Sequence, residues 1–116
     1  MNSIEIRSLL QADPDVFIHY TDETGLRNIL QEGVIRPNRK GHVYFTQEPF
    51  SQADAHMNLF LAQSTHEGRG SHILVIRLDP GVRITKMSDL YEFRIQDSLK
   101  LHQHEVLYEG KNPFGL

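Results

Sequence analysis

The chain has 116 residues, 39% apolar and 23% charged, with a net charge of −3 and no cysteine. That length predicts one domain over residues 1–116 with one modest core, since folding at this size buries roughly two thirds of the unfolded surface. Disulfides, thiol catalysis and Cys-ligated zinc are excluded, and the mild acidity argues against general nucleic-acid binding.

In chain order, Ser3 caps a predicted short helix to about Leu10, ended by the Asp13-Pro14 step. Val16 to Tyr20 (VFIHY) is β-branched and aromatic, a strand. Thr21 reads as the next helix cap, with Asp22 and Glu23 in a first turn favoured by the helix dipole. Leu26, Ile29 and Leu30 form its apolar stripe, and Gly33 supplies the stop. A basic turn, Arg36 to Gly41, leads into a second strand, His42 to Thr46 (HVYFT). Ser51 caps a helix extending to Ser64 with the stripe Ala53, Met57, Phe60 and Leu61. His72 to Leu78 is apolar on both alternations, the mark of a strand covered on both faces. After the turn Asp79-Pro80-Gly81, Val82 to Thr85 predicts a short strand, Ser88 to Leu101 is ambiguous, and Glu105 to Tyr108 is a last strand. The fold class is α+β: short strands with two or three helices.

Most familiar catalytic signatures are missing. There is no GxxxxGK[ST], Gly68-Arg69-Gly70 lacks a third glycine, His104-Glu105 is followed by Tyr108 where HExxH needs histidine, and no serine lies in a GxSxG elbow. Seven histidines raise the question of a metal. His102 and His104 would share one strand face with Glu105 on the other, but a site takes three or four convergent ligands. Surface or loop histidines are the expectation, and no metal is expected.

Three residues gain weight together: His19 at the end of the first strand in FIHYTD, Tyr44 within GHVYFT, and Glu105 opening HEVLYEG. In order and setting these motifs resemble the ADP-ribosyltransferase fold, in the group marked by an H-Y-D/E triad. HYT followed by GLRNILQEGVI is similar to that family's opening strand and helix, GHVYFT to its second motif, and HEVLYEG to its third. The resemblance covers about residues 16 to 112 and is nearest to small bacterial toxin-type domains; the rifampicin-modifying enzymes share the motif order.

The resemblance implies a compact fold of two packed sheets and an NAD-dependent enzyme that splits the nicotinamide–ribose bond. It transfers ADP-ribose to a macromolecule, with a protein target expected, as a toxin or effector. Glu105 would stabilise the oxocarbenium-like transition state, Tyr44 would pack on nicotinamide, and His19 would hold the adenosine-side ribose. Tyr20, Thr21, Thr46 and Arg36 would complete the NAD site; the turn with Arg36, Arg39 and Lys40 is read either as meeting the pyrophosphate or, the plainer expectation, as a solvated loop. Gln103, two residues before Glu105, would help select the acceptor. NAD is then the substrate and no metal is required. The family's second aromatic, about eleven residues after the first, is here Ala55, with Phe50, Met57 or Phe60 as substitutes, while Asp97 and Glu92 are alternative carboxylates. A toxin implies a cognate immunity protein.

MNSIEIRSLL has no signal-peptide pattern, and no apolar run nears the ~18 residues of a membrane span. The expected location is therefore the cytoplasm, of the producing cell or of a target cell after delivery, without membrane contact. Other readings are an RNA 2′-phosphotransferase or similar nucleic-acid-directed transferase of the same fold, an inactive NAD- or ADP-ribose-binding module, and a His-rich metal-binding domain.

Overall fold

A computed structural model describes residues 1–59, 69–87 and 91–115. Helix α1 spans Ser3–Ala12, and its cap is Asn2 rather than the expected Ser3. Asn2 Oδ1 accepts the Glu5 N–H at 2.9 Å while Glu5 Oε1 accepts the Asn2 N–H at 3.3 Å, a reciprocal box that a serine inside the first turn does not make. Strand β1, Val16–Thr21, runs one residue further than predicted, so Thr21 belongs to the strand. Asp22 caps helix α2, Glu23–Glu32, its carboxylate accepting the Gly25 N–H at 2.7 Å.

Gly33 closes α2 in the left-handed region at φ 69, with open space where a Cβ would stand. Substitution there is penalised by the backbone alone: Gly33→Ala is expected to cost about 1 kcal/mol, read as a lower urea midpoint with an unchanged m-value. A neutral or stabilising result would contradict the left-handed cap.

The remaining elements are β2 (Val34–Ile35), β3 (His42–Thr46), α3 (Gln52–Asn58), β4 (His72–Arg77), β5 (Ile84–Lys86), β6 (Glu92–Gln96), β7 (Leu99–Lys100) and β8 (Glu105–Lys111). A 3-10 turn, Leu101–Gln103, precedes β8. The ambiguous stretch thus contains two strands, its residues 88–90 lying outside the described ones, and β5 sits two residues later at its start than expected. Ser51 caps α3 as predicted, but the buried face is Ala55, with Ala53 and Met57 exposed. The expected extension to Ser64, with Phe60 and Leu61, lies largely outside the described residues.

Six strands form an antiparallel sheet in the order β5-β6-β3-β1-β4-β8, and β2 pairs with β7 in a second, two-stranded one. The architecture is α+β with three α-helices among the described residues. β4 is sandwiched as its sequence demands: Leu74 and Ile76 enter a core with Phe17, Phe45, Ile95 and α2, while Ile73 and Val75 enter another with α1, α3 and Phe114. Leu26 and Ile29 are the buried residues of α2, whereas Leu30 is 40% exposed. No described helix is long and apolar enough to cross a membrane.

The pairing is uneven along the sheet. β1 and β4 stay in register from Val16↔Arg77 to Thr21↔His72, and β3 and β6 from His42↔Gln96 to Thr46↔Glu92. Between β1 and β3 the register holds at one position, Ile18↔Thr46. The sheet is therefore two well-zipped halves, β1-β4-β8 and β3-β6-β5, joined at a narrow seam. Beyond the seam the strands part.

Candidate active site

The parting of β1 and β3 opens a cleft of about 1020 Å³. Consecutive residues line it, from Ile18 to Asp22 on one wall and from His42 to Thr46 on the other. Side chains alternate between faces along a strand, so unbroken runs mean that the cleft opens onto the strand edges rather than onto one face. The basic turn (Arg36, Asn38 and Lys40), α3 with its C-cap (Met57 to Leu59), Arg69, Tyr91 and Glu92 complete the lining.

His19 bridges the gap at its inner end. Its Nδ1 lies 2.9 Å from the Tyr44 carbonyl oxygen, which can only accept, so Nδ1 carries the proton and Nε2 is left as an acceptor. The ring is tilted against Phe45, centroids 5.7 Å apart. Burial lowers the His19 pKa from its ordinary value, partly offset by the bond to the Tyr44 carbonyl. His104 is shifted the same way, again chiefly by burial.

Lowered folded-state values mean that the unfolded chain binds these protons more readily, so the associated stability is present above the ordinary histidine range and lost as pH falls. Stability is expected to hold near pH 7 and to decline below about pH 6.5, as the folded values are approached. Urea midpoints across that range test it, and His19→Gln is expected to flatten the decline. The same slope in wild type and variant would remove His19 from the account.

Tyr44 and Glu92 stand on the opposite wall. Tyr44 pairs across strands with Arg94, and Glu92 with Thr46. Thr46 is 1% exposed, its Oγ1 accepting the Glu48 N–H at 3.1 Å. Tyr20 is buried with its hydroxyl turned to the segment after β3, donating to the Phe50 carbonyl at 2.8 Å; burial raises its pKa well above the usual tyrosine value. Asn112 ties the same Phe50 carbonyl to that of Gly70, at 3.0 and 2.9 Å. Thr21 lies at the mouth, where Gly25 lets α2 start against it: a Cβ on Gly25 would overlap Thr21 Oγ1. Arg36 reaches the cleft but is held by Glu32 at 2.6 Å. The Nδ1 of His42 is buried with no hydrogen-bond partner among the described residues.

The structure therefore gathers His19, Tyr20, Thr21, Tyr44, Thr46 and Arg36 around one cleft. Glu105 is not on its lining. It opens β8, opposite Arg77, and takes Arg77 Nη1 on both carboxylate oxygens at 2.6 and 2.7 Å. Arg77 Nε also donates to Asp13 at 2.8 Å, holding the Asp13 carboxyl below the usual carboxylate range. This cluster pins the β8 edge to the end of α1. Gln103 is exposed on the 3-10 turn, Arg39 is outside the lining, and Asp97 occupies a left-handed turn at φ 67.

His102 lies in the 3-10 turn and His104 caps it, so the two share no strand face; His104 Nδ1 accepts the Asp79 N–H at 2.9 Å. Among the described residues, no three His, Asp or Glu side chains converge as metal ligands do. Arg69, Tyr91 and Asn38 are lining residues that spacing did not signal. No family model, curated protein or solved structure matches the chain.

Proposed function

We propose that the chain is an NAD-dependent ADP-ribosyltransferase on a fold of the ADP-ribosyltransferase type, and that its carboxylate is Glu92 rather than Glu105. The observation that carries this reading is the shared cleft: a histidine with a defined acceptor nitrogen, an aromatic ring and a carboxylate line one opening between two half-sheets. At about 1020 Å³ it lies at the upper end of the range for ligand sites, roughly 300–1000 Å³, as a bent dinucleotide needs.

In this reading NAD lies along the seam. Tyr44 offers its face to nicotinamide, and Tyr91, braced edge-on by Phe50 at 5.2 Å, flanks the same region. His19 Nε2 accepts a ribose hydroxyl. Arg69 and Lys40 supply positive charge for the pyrophosphate. The C1′–N1 bond breaks with its electron pair leaving on nicotinamide, and Glu92 stabilises the positive charge that develops on the ribose. An acceptor nucleophile then bonds to C1′ and loses its proton to solvent.

Incubation with NAD, following free nicotinamide with and without cell lysate, tests this directly. Release is the expected result, faster with lysate where a macromolecular acceptor is present. Absence of release together with absence of NAD binding by calorimetry would remove the reading.

A further inference from the structure

Both polar atoms of the Asn112 side chain are engaged, and their bonds join segments far apart in the sequence. Its Nδ2 donates to the Phe50 carbonyl at 3.0 Å and to the Gly70 carbonyl at 2.9 Å. Its Oδ1 accepts the Phe114 N–H at 2.8 Å, and its backbone N–H donates to the Ser71 carbonyl at 2.8 Å. The residue is half-buried and stands directly after β8. Phe114 anchors the turn that follows. It is 3% exposed in the core built on α1, α3, β1 and β4, with the Arg7 guanidinium over its ring at 5.3 Å.

Each carbonyl that Asn112 holds lies one step from the cleft lining. Phe50 meets Tyr91 edge-on and precedes Ser51, the cap of α3, whose last residues line the cleft. Gly70 follows Arg69, another lining residue, and its N–H donates to the Thr21 carbonyl at 2.8 Å. The Phe50 carbonyl also takes the Tyr20 hydroxyl at 2.8 Å, so both of its lone pairs are in use. Residues 47–51 and 69–71 lie outside the strands. Side chains, rather than a ladder, therefore hold these carbonyls in place.

We propose that Asn112 is a positioning residue for the cleft, fastening the wall of Tyr91, Arg69 and the end of α3 to the half-sheet of β1 and β4. The inference rests on the transferase reading above and deepens it. Asn112 is not itself on the lining. It acts through Phe50 and Gly70 on the groups that flank nicotinamide and face the pyrophosphate. A wall ordered before NAD arrives removes an ordering cost from binding.

Asn112→Asp separates this role from ordinary stability. The carboxylate keeps the size of the side chain and an acceptor for Phe114, but sets an oxygen without a proton against two carbonyls. In the nicotinamide-release assay KM for NAD is expected to rise about tenfold with kcat within about twofold, the pattern of lost binding rather than lost chemistry. Tyr20→Phe removes the other donor to the Phe50 carbonyl and is expected to raise KM about threefold, with the double variant below the product of the two because they share one partner. Tyr20→Phe carries the test alone if Asn112→Asp does not fold. Gly33→Ala, off the lining at the end of α2, is the reference for destabilisation and should leave KM unchanged.

Amide exchange gives a readout that needs no NAD. The Gly70 and Ala55 N–H groups donate to the Thr21 and Ser51 carbonyls at 2.8 Å each. They are expected to exchange about tenfold faster in Asn112→Asp but not in Gly33→Ala, as local opening requires. A KM that stays at the wild-type value in Asn112→Asp, or shifts equally in Gly33→Ala, overturns the proposal, as does unchanged exchange at both amides. A wild-type protein that neither binds NAD nor releases nicotinamide overturns the transferase reading instead. Exchange then decides alone whether Asn112 holds the wall: faster exchange supports it, and unchanged exchange removes both.

Discussion

Replacing Glu92 by glutamine is expected to slow nicotinamide release from NAD by about 10²- to 10³-fold, the loss that follows removal of one group aimed at developing transition-state charge. Glutamine keeps the size and hydrogen-bonding capacity of the side chain and removes the negative charge, so NAD affinity by calorimetry is expected to change little. Glu105→Gln is the informative companion. That carboxylate neutralises Arg77 at the sheet edge, with a side chain 52% exposed, and its loss is expected to leave turnover within about twofold while slightly lowering stability. The two variants exchange roles if the third motif of the resemblance is taken at face value. A hundredfold loss in Glu105→Gln with full activity in Glu92→Gln would return the chemistry to β8 and refute the cleft assignment.

Phe17→Ala is expected to produce the largest loss of stability, about 3–5 kcal/mol. Phe17 is 4% exposed on β1 and meets Phe45 of β3 at 6.2 Å and Phe93 of β6 at 5.1 Å, both edge-on. It thus packs one half-sheet against the other beneath a seam where the backbone pairing holds at Ile18↔Thr46. Truncation removes a large apolar side chain and leaves a cavity where the halves depend on side chains rather than on the ladder. For a chain of this size the drop in Tm should be roughly 4 °C per kcal/mol or slightly less. Because domains are stable by only about 5–15 kcal/mol, roughly a fifth or more of the total is at stake. Ile4→Ala, at a site 72% exposed on α1, serves as the reference and should change stability by less than about 0.5 kcal/mol. Similar melting of the two variants would show that the aromatic cluster does not join the halves.

Local signals were legible wherever the determining interaction lies within a few residues. β3 begins at His42 and ends at Thr46 as its β-branched and aromatic run requires, Ser51 caps α3, and Gly33 ends α2 in the left-handed conformation. The double burial of β4 follows from an apolar run without alternation. Caps were misplaced by one residue, Ser3 for Asn2 and Thr21 for Asp22, because neighbouring polar residues compete for the same orphan N–H groups and only the backbone angle decides between them. The stripe of α3 was read one face away: Ala55, not Ala53 or Met57, is buried, since a short helix of mixed polarity turns toward whatever packs on it.

For the site, sequence alone determined the strand–helix unit that carries His19 and the strand that carries Tyr44, because both are local patterns of hydrophobicity and capping. Tertiary structure decided which carboxylate shares their cleft. Pairing of β6 with β3 brings Glu92 opposite Thr46, while pairing of β8 with β4 carries Glu105 to Arg77 at the sheet's far edge. Strand order is fixed by contacts between residues dozens of positions apart, and no spacing along the chain records it.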